Sequence, residues 1–113
     1  MEAARLAVLR ALAAQPDLSQ RALSAALGLS LGKTHYVLHA LLDKGLVKVR
    51  NFRRSQKKLS YAYVLTPSGM TEKLRLTMRF LARKEAEFEA LQGTIAALRS
   101  ELRRDAGRHE AAD

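Results

Sequence analysis

The chain has 113 residues, with 20 Lys+Arg against 11 Asp+Glu, a formal net charge of +9 and no cysteine. That length allows one small domain with an appendage, and so large a basic excess attracts polyanions, meaning nucleic acid or an anionic membrane surface. Disulfides, thiol catalysis and zinc-finger sites are excluded, no stretch reaches the roughly 20 apolar residues of a membrane span, and Arg5 and Arg10 break up any signal-peptide core, so a cytoplasmic protein is expected.

Glu2 to Gln15 reads as a first helix, with Leu6, Leu9 and Ala13 in an apolar stripe beside Val8 and Leu12, and with Arg5 and Arg10 in solvent. Pro16 ends it, because proline disfavours helix at the residue before it. Ser19 is a good N-cap for a second helix through Leu27, with Ala22, Leu23, Ala26 and Leu27 facing inward. Gly28 breaks that helix and Leu29 plugs the corner. A third helix then runs from Ser30, its N-cap, to Gly45, which can take the left-handed conformation that closes a helix. Thr34, Val37, Leu38, Leu41 and Leu42 form its inner face at the 3.6-residue period. Gly32, Lys33, His35, Tyr36 and His39 form a polar and aromatic outer face. Two helices joined by a tight glycine-containing turn make a helix-turn-helix.

After Gly45 the pattern alternates. Leu46–Arg50 and Tyr61–Leu65 are strand-like, rich in β-branched and aromatic residues. From Lys48 to Lys58 there are six Lys/Arg and no acid, the densest charge in the chain. A helix-turn-helix followed by a hairpin with a basic tip is a winged helix, and such a tip suits phosphate neutralisation.

Thr66-Pro67 is a helix start, an N-cap followed by proline at the first helical position. Only glycine interrupts the helical pattern from there to about Arg104, a rod of roughly 55 Å at 1.5 Å per residue. Leu74, Leu81, Phe88, Ile95 and Leu102 recur every seventh residue. Met70, Leu91 and Leu98 fill part of the second seam row, which Thr77 and Lys84 weaken. So long a stripe exceeds what one small domain can cover, so its second half reads as a coiled-coil dimer seam; the alternative is a helix folded back on its own domain. Asp105 to Asp113 is expected to be a flexible tail. The fold class is therefore mainly α with a small β-hairpin: a winged helix-turn-helix over residues 1–66, a dimerisation helix over 67–104, and the tail.

These residues resemble a known family. From Pro16 to about Leu91 the chain is similar to the MarR-type winged-helix regulators, and most to the subgroup associated with exopolysaccharide gene clusters. The resemblance is carried by Ser19-Gln20-Arg21 with Leu27-Gly28, Ser30-Leu31-Gly32-Lys33, Asp43-Lys44-Gly45-Leu46-Val47, Asn51-Phe52-Arg53, Tyr61 through Pro67, and Leu76-Thr77 through Phe80-Leu81. The Lys-Gly-Leu-Val and Leu-Thr-Pro stretches are widespread in winged helices; Ser-Leu-Gly-Lys with Asn-Phe-Arg in the wing is more specific. The chain departs from the larger members in starting at the first helix of the winged domain and in having one long C-terminal helix where they usually have two. Thr34 stands where valine is more usual.

The resemblance implies a transcriptional regulator that binds double-stranded DNA as a homodimer, with the helix from Ser30 in the major groove. Ser30, Gly32, Lys33, His35, Tyr36 and His39 are then the base-facing candidates. Ser19, Gln20 and Arg21 would meet the phosphate backbone at a helix N-terminus, and Arg53, Arg54, Lys57 and Lys58 would hold flanking phosphates or enter the minor groove. The dimerisation set is Leu74, Leu81, Phe88, Leu91, Ile95, Leu98 and Leu102. His35 and His39 have a spacing that could hold one metal, but Asp43 is another turn away and no third ligand is evident, so a DNA-facing pair is the preferred reading. The glycines do not form a phosphate-cradling loop and no nucleophile–base pair is evident, so neither an enzyme nor a cofactor is expected. Competing classes are a protein-interaction module and an RNA-binding winged helix. A membrane-surface role is disfavoured because Glu85, Glu87, Glu89 and Glu101 break up the basic face of the long helix.

Overall fold

A computed structural model describes residues 2–55 and 58–112, with side chains described for residues 2–50 and 62–110. The elements follow in the order α1 (Glu2–Ala14), α2 (Gln20–Leu27), α3 (Leu31–Asp43), β1 (Val47–Ser55), β2 (Lys58–Leu65) and α4 (Pro67–Ala112). This is a winged helix-turn-helix with a long C-terminal helix. Two compact units divide the chain, Met1–Met78 and Arg79–Asp113.

The first unit has a closed apolar core. Val8, Leu9 and Leu12 of α1, Leu23 of α2, and Thr34, Val37, Leu38 and Leu41 of α3 are all under 2% exposed. Each fully buried leucine or valine contributes about 1.5–3 kcal/mol relative to an exposed one. Thr34 is accommodated in this core because its hydroxyl donates to the Ser30 carbonyl at 2.9 Å, so no polar atom is left without a partner. Three expected core positions differ: Ala13, Ala22 and Ala26 are exposed. On α2 the buried neighbour of Leu23 is Ser24, whose hydroxyl donates to the Gln20 carbonyl at 2.9 Å. A methyl group defines an apolar stripe too weakly to say how far the next helix reaches across it.

Both turns of the helix-turn-helix unit close in the same way. Gly28 (φ 65°) and Gly45 (φ 72°) are left-handed. Leu29 N–H donates to the Ser24 carbonyl at 3.1 Å and Leu46 N–H to the Leu41 carbonyl at 3.0 Å. These are the long-range bonds of the Schellman closure, and each places an apolar residue just past the glycine.

The wing strands pair antiparallel, Val47 opposite Leu65 and Asn51 opposite Tyr61, with an irregularity between Arg53 and Ser55. They are longer than expected: Asn51–Ser55 extends β1 and Lys58–Ser60 extends β2, beyond the strand-like stretches Leu46–Arg50 and Tyr61–Leu65, because these polar segments show no apolar alternation to mark them as strand. The N-terminus of α4 is anchored to the end of α3 and the start of the wing. Thr66 N–H donates to the Leu46 carbonyl at 3.1 Å. The Thr66 hydroxyl donates to the Gly45 carbonyl at 2.7 Å and accepts from Gly69 N–H at 3.0 Å. Gly69 is obligatory for this approach, since a Cβ there would lie 1.9 Å from the Leu46 carbonyl oxygen.

In the second unit α4 continues without a break to Ala112. The expected flexible tail is thus helical over residues 105–112. Alanine, glutamate and arginine are good helix formers, and Arg108 reaches Asp105 at 3.8 Å one turn back. Gly93 lies within the helix with nothing near the position of a Cβ, so among the described residues no close crossing explains it.

Candidate nucleic-acid interface

The exposed face of α3 is set by its buried one. With Thr34, Val37, Leu38 and Leu41 seated in the core, Gly32, Lys33, His35, Tyr36 and His39 are turned to solvent, and Tyr36 is 64% exposed. Ser30 extends this surface as the N-cap, its hydroxyl accepting from Lys33 N–H at 3.1 Å. A capped serine keeps its own O–H as a donor, so the cap and an outside acceptor can be served together. Leu31, the first residue of α3, is 47% exposed beside it. A leucine between a cap and a glycine, off the inner stripe, has nowhere to be but the surface.

The N-terminus of α2 lies alongside. Ser19 accepts from Ala22 N–H at 3.0 Å and Arg21 is exposed. Gln20, the first residue of α2, makes contacts that reach two other elements. Its Nε2 donates to the Tyr63 hydroxyl of β2 at 3.3 Å, and its Oε1 is 3.2 Å from Nδ1 of His35 on α3. The His35 and His39 rings lie 4.1 Å apart between centroids, tilted by 45°. Tyr63 N–H in turn donates to the Pro16 carbonyl at 3.1 Å, tying the wing to the link before α2. Neither Tyr63 nor this network was legible beforehand, because Gln20 and Tyr63 are 43 positions apart.

Lys48 and Arg50 are exposed at the base of the wing. Arg53, Arg54, Lys57 and Lys58, the expected phosphate contacts of the wing, lie outside the residues whose side chains are described. Among the described residues no group of three His, Cys, Asp or Glu could hold a metal ion, and none of the described helices is long and apolar enough to cross a membrane.

The expected dimerisation residues are all exposed: Leu74 in the first unit, and Leu81, Phe88, Leu91, Ile95, Leu98 and Leu102 in the second, at 39–69%. Lys84, which interrupts the second seam row, is occupied within its own helix. Its Nζ lies 5.2 Å from the Phe80 ring centroid and 3.2 Å from Glu87 Oε2. In the first unit an open groove of about 660 Å³ runs between α1, β2 and the start of α4, lined by Leu12, Pro16, Val64, Met70, Leu74 and Lys73 among others.

Residues 1–48 match the family described as winged helix-turn-helix DNA-binding. No curated protein matches the chain in sequence. Among solved structures, the PcaV transcriptional regulator from Streptomyces coelicolor is 28% identical, with a TM-score of 0.62 over 96% of this chain and 79% of that one. A MarR transcriptional regulator from Methanosarcina mazei Go1 is 22% identical, with a TM-score of 0.62 over 76% and 60%. A MepR variant from S. aureus bound to an oligodeoxyribonucleotide is 20% identical, with a TM-score of 0.59 over 88% and 78%. The fold is thus that of MarR-type regulators, and the matched proteins are DNA-binding domains and transcriptional regulators, not enzymes. These findings support a DNA-binding transcriptional regulator.

Proposed function

We propose that the chain acts as a homodimer that binds specific double-stranded DNA and regulates transcription. The observation that carries this reading is the division of α3: one face wholly buried, the other a solvent-facing row of hydrogen-bonding side chains at a capped N-terminus. An α-helix so presented fits the major groove, and two copies would reach half-sites about one turn, ~34 Å, apart. Lys33, His35, Tyr36 and His39 would meet base edges together with Ser30. Gly32 would let the backbone come close. Ser19 and Arg21 at the start of α2, and Arg53, Arg54, Lys57 and Lys58 of the wing, would neutralise phosphates. The apolar row from Leu74 to Leu102 would be covered by a second copy, since an exposed stripe of this kind marks an interaction surface. Regulation of exopolysaccharide genes is the finer assignment, supported by the Ser-Leu-Gly-Lys and Asn-Phe-Arg resemblance.

Selection of bound DNA from a random library tests the whole. A palindromic consensus with half-sites one turn apart is expected, and occurrence of that consensus upstream of exopolysaccharide genes would support the finer assignment. Lys57→Ala should weaken binding to all sequences alike and reduce the salt slope by about one unit. His35→Ala should change the preferred base at one position per half-site. Equal binding to random DNA, or preference for double-stranded RNA in a salt-titrated shift assay, would refute the reading.

A further inference from the structure

Gln20 stands where a phosphate contact is expected, yet both ends of its amide are engaged inside the domain, on Tyr63 and His35. The three residues come from three elements that a recognition surface must keep in register: the start of α2, the outer face of α3 and the strand β2 of the wing. We infer that Gln20 is a positioning residue that holds the His35 ring and fixes its hydrogen-bonding sense, so that His35 presents an acceptor, not a donor, to DNA. This rests on the proposal that α3 enters the major groove.

The chemistry follows from the two ends of the amide. Its nitrogen donates to the Tyr63 hydroxyl, so its carbonyl oxygen is the atom facing His35. A carbonyl oxygen has no hydrogen to give, so the hydrogen between it and His35 is on Nδ1. A neutral imidazole carries one N–H, and the other nitrogen, Nε2, is left as an acceptor. The His39 ring, tilted by 45° with its centroid 4.1 Å away, lies against His35 as a second neighbour. An acceptor held at a base edge pairs with an exocyclic amino group, adenine N6 or cytosine N4. On guanine and thymine it meets acceptors or the thymine methyl group, and no donor. His35 would therefore select an amino-bearing base at one position in each half-site, and Gln20 would set that choice without touching DNA.

Two readouts test this on the full-length chain. Nitrogen NMR of the histidine side chains, at a pH of about 8 where ordinary histidines are neutral, should find the hydrogen of His35 on Nδ1. Gln20→Ala should release it toward the Nε2–H form. Gln20→Glu, whose carboxylate still accepts from Nδ1, should retain it. In library selection, Gln20→Ala should relax the preference for adenine or cytosine at the position His35→Ala affects, by several-fold to about tenfold, as loss of one oriented hydrogen bond implies, with the salt slope unchanged. The hydrogen on Nε2 in the unaltered chain would overturn the inference. So would a Gln20→Ala variant that lowers the salt slope by about one unit while keeping base preference, since Gln20 would then be a phosphate contact. If the unaltered chain selects no consensus, the functional reading fails, and the base-selecting role of His35 and Gln20 falls with it. An Nδ1–H found in that case leaves only the fixed hydrogen-bonding sense standing, so the two failures are told apart.

Discussion

The two units of the chain handle apolar surface in opposite ways. In Met1–Met78 three helices and a hairpin meet, and the large side chains of α1, α2 and α3 that point inward are almost wholly removed from water. In Arg79–Asp113 a single helix carries Leu81, Phe88, Leu91, Ile95, Leu98 and Leu102, each at least 39% exposed. A lone helix in water is held only by local bonds and a few pairs such as Lys84–Glu87, which contribute a few tenths of a kcal/mol each. The first unit has a closed core of its own; the second has the composition of half an interface. Stability in one is a property of the chain, and in the other of the assembly proposed for it.

Substitutions can break that contrast. The largest effect is expected from Leu91→Asp combined with Leu98→Asp. On the proposed dimer this should reduce the mass in sedimentation from two chains to one and lower helical circular dichroism, because most helical stability in proteins comes from packing of an apolar face rather than from propensity. The first unit should keep its own unfolding transition. An unchanged mass would place the interface elsewhere. Leu38→Ala, on the other side of the comparison, should cost about 2–5 kcal/mol in denaturant unfolding of the first unit and leave the association state alone. Gly69→Ala should cost about 1–3 kcal/mol in the same measurement, through the clash of the new Cβ with the Leu46 carbonyl. Ser30→Ala, which removes the cap on Lys33 N–H, should cost about 1 kcal/mol. The smallest effect belongs to Arg108→Ala: its ion pair with Asp105 is exposed, and a change beyond about 0.5 kcal/mol would mean that the end of α4 is packed against something.

Much of this was legible in local chemistry. Ser19 and Ser30 cap the helices they were expected to cap, Gly28 and Gly45 close the two before them, and Thr34, Val37, Leu38 and Leu41 are buried as their spacing required. Each of these is decided within about four residues, which is the range over which a helix turn or a cap acts. The alanines failed for the opposite reason. Ala13, Ala22 and Ala26 have the right period, but whether a small side chain is covered depends on how closely a neighbouring helix approaches. Gly69 had a signal, a glycine two residues after Thr66-Pro67, but its meaning lies in a carbonyl 23 positions earlier in the chain.

The sequence by itself determined the elements, their order and the face that α3 turns to solvent, because hydrophobic period, capping and turn chemistry are local. Tertiary structure alone decided how the groups on that face are joined to its neighbours. It brought Gln20, His35 and Tyr63 within hydrogen-bond reach across three elements, and it seated the start of α4 on the Leu46 carbonyl. Contacts between residues 15 to 43 positions apart leave no period and no spacing to read, since they exist only once packing has fixed the elements that carry them.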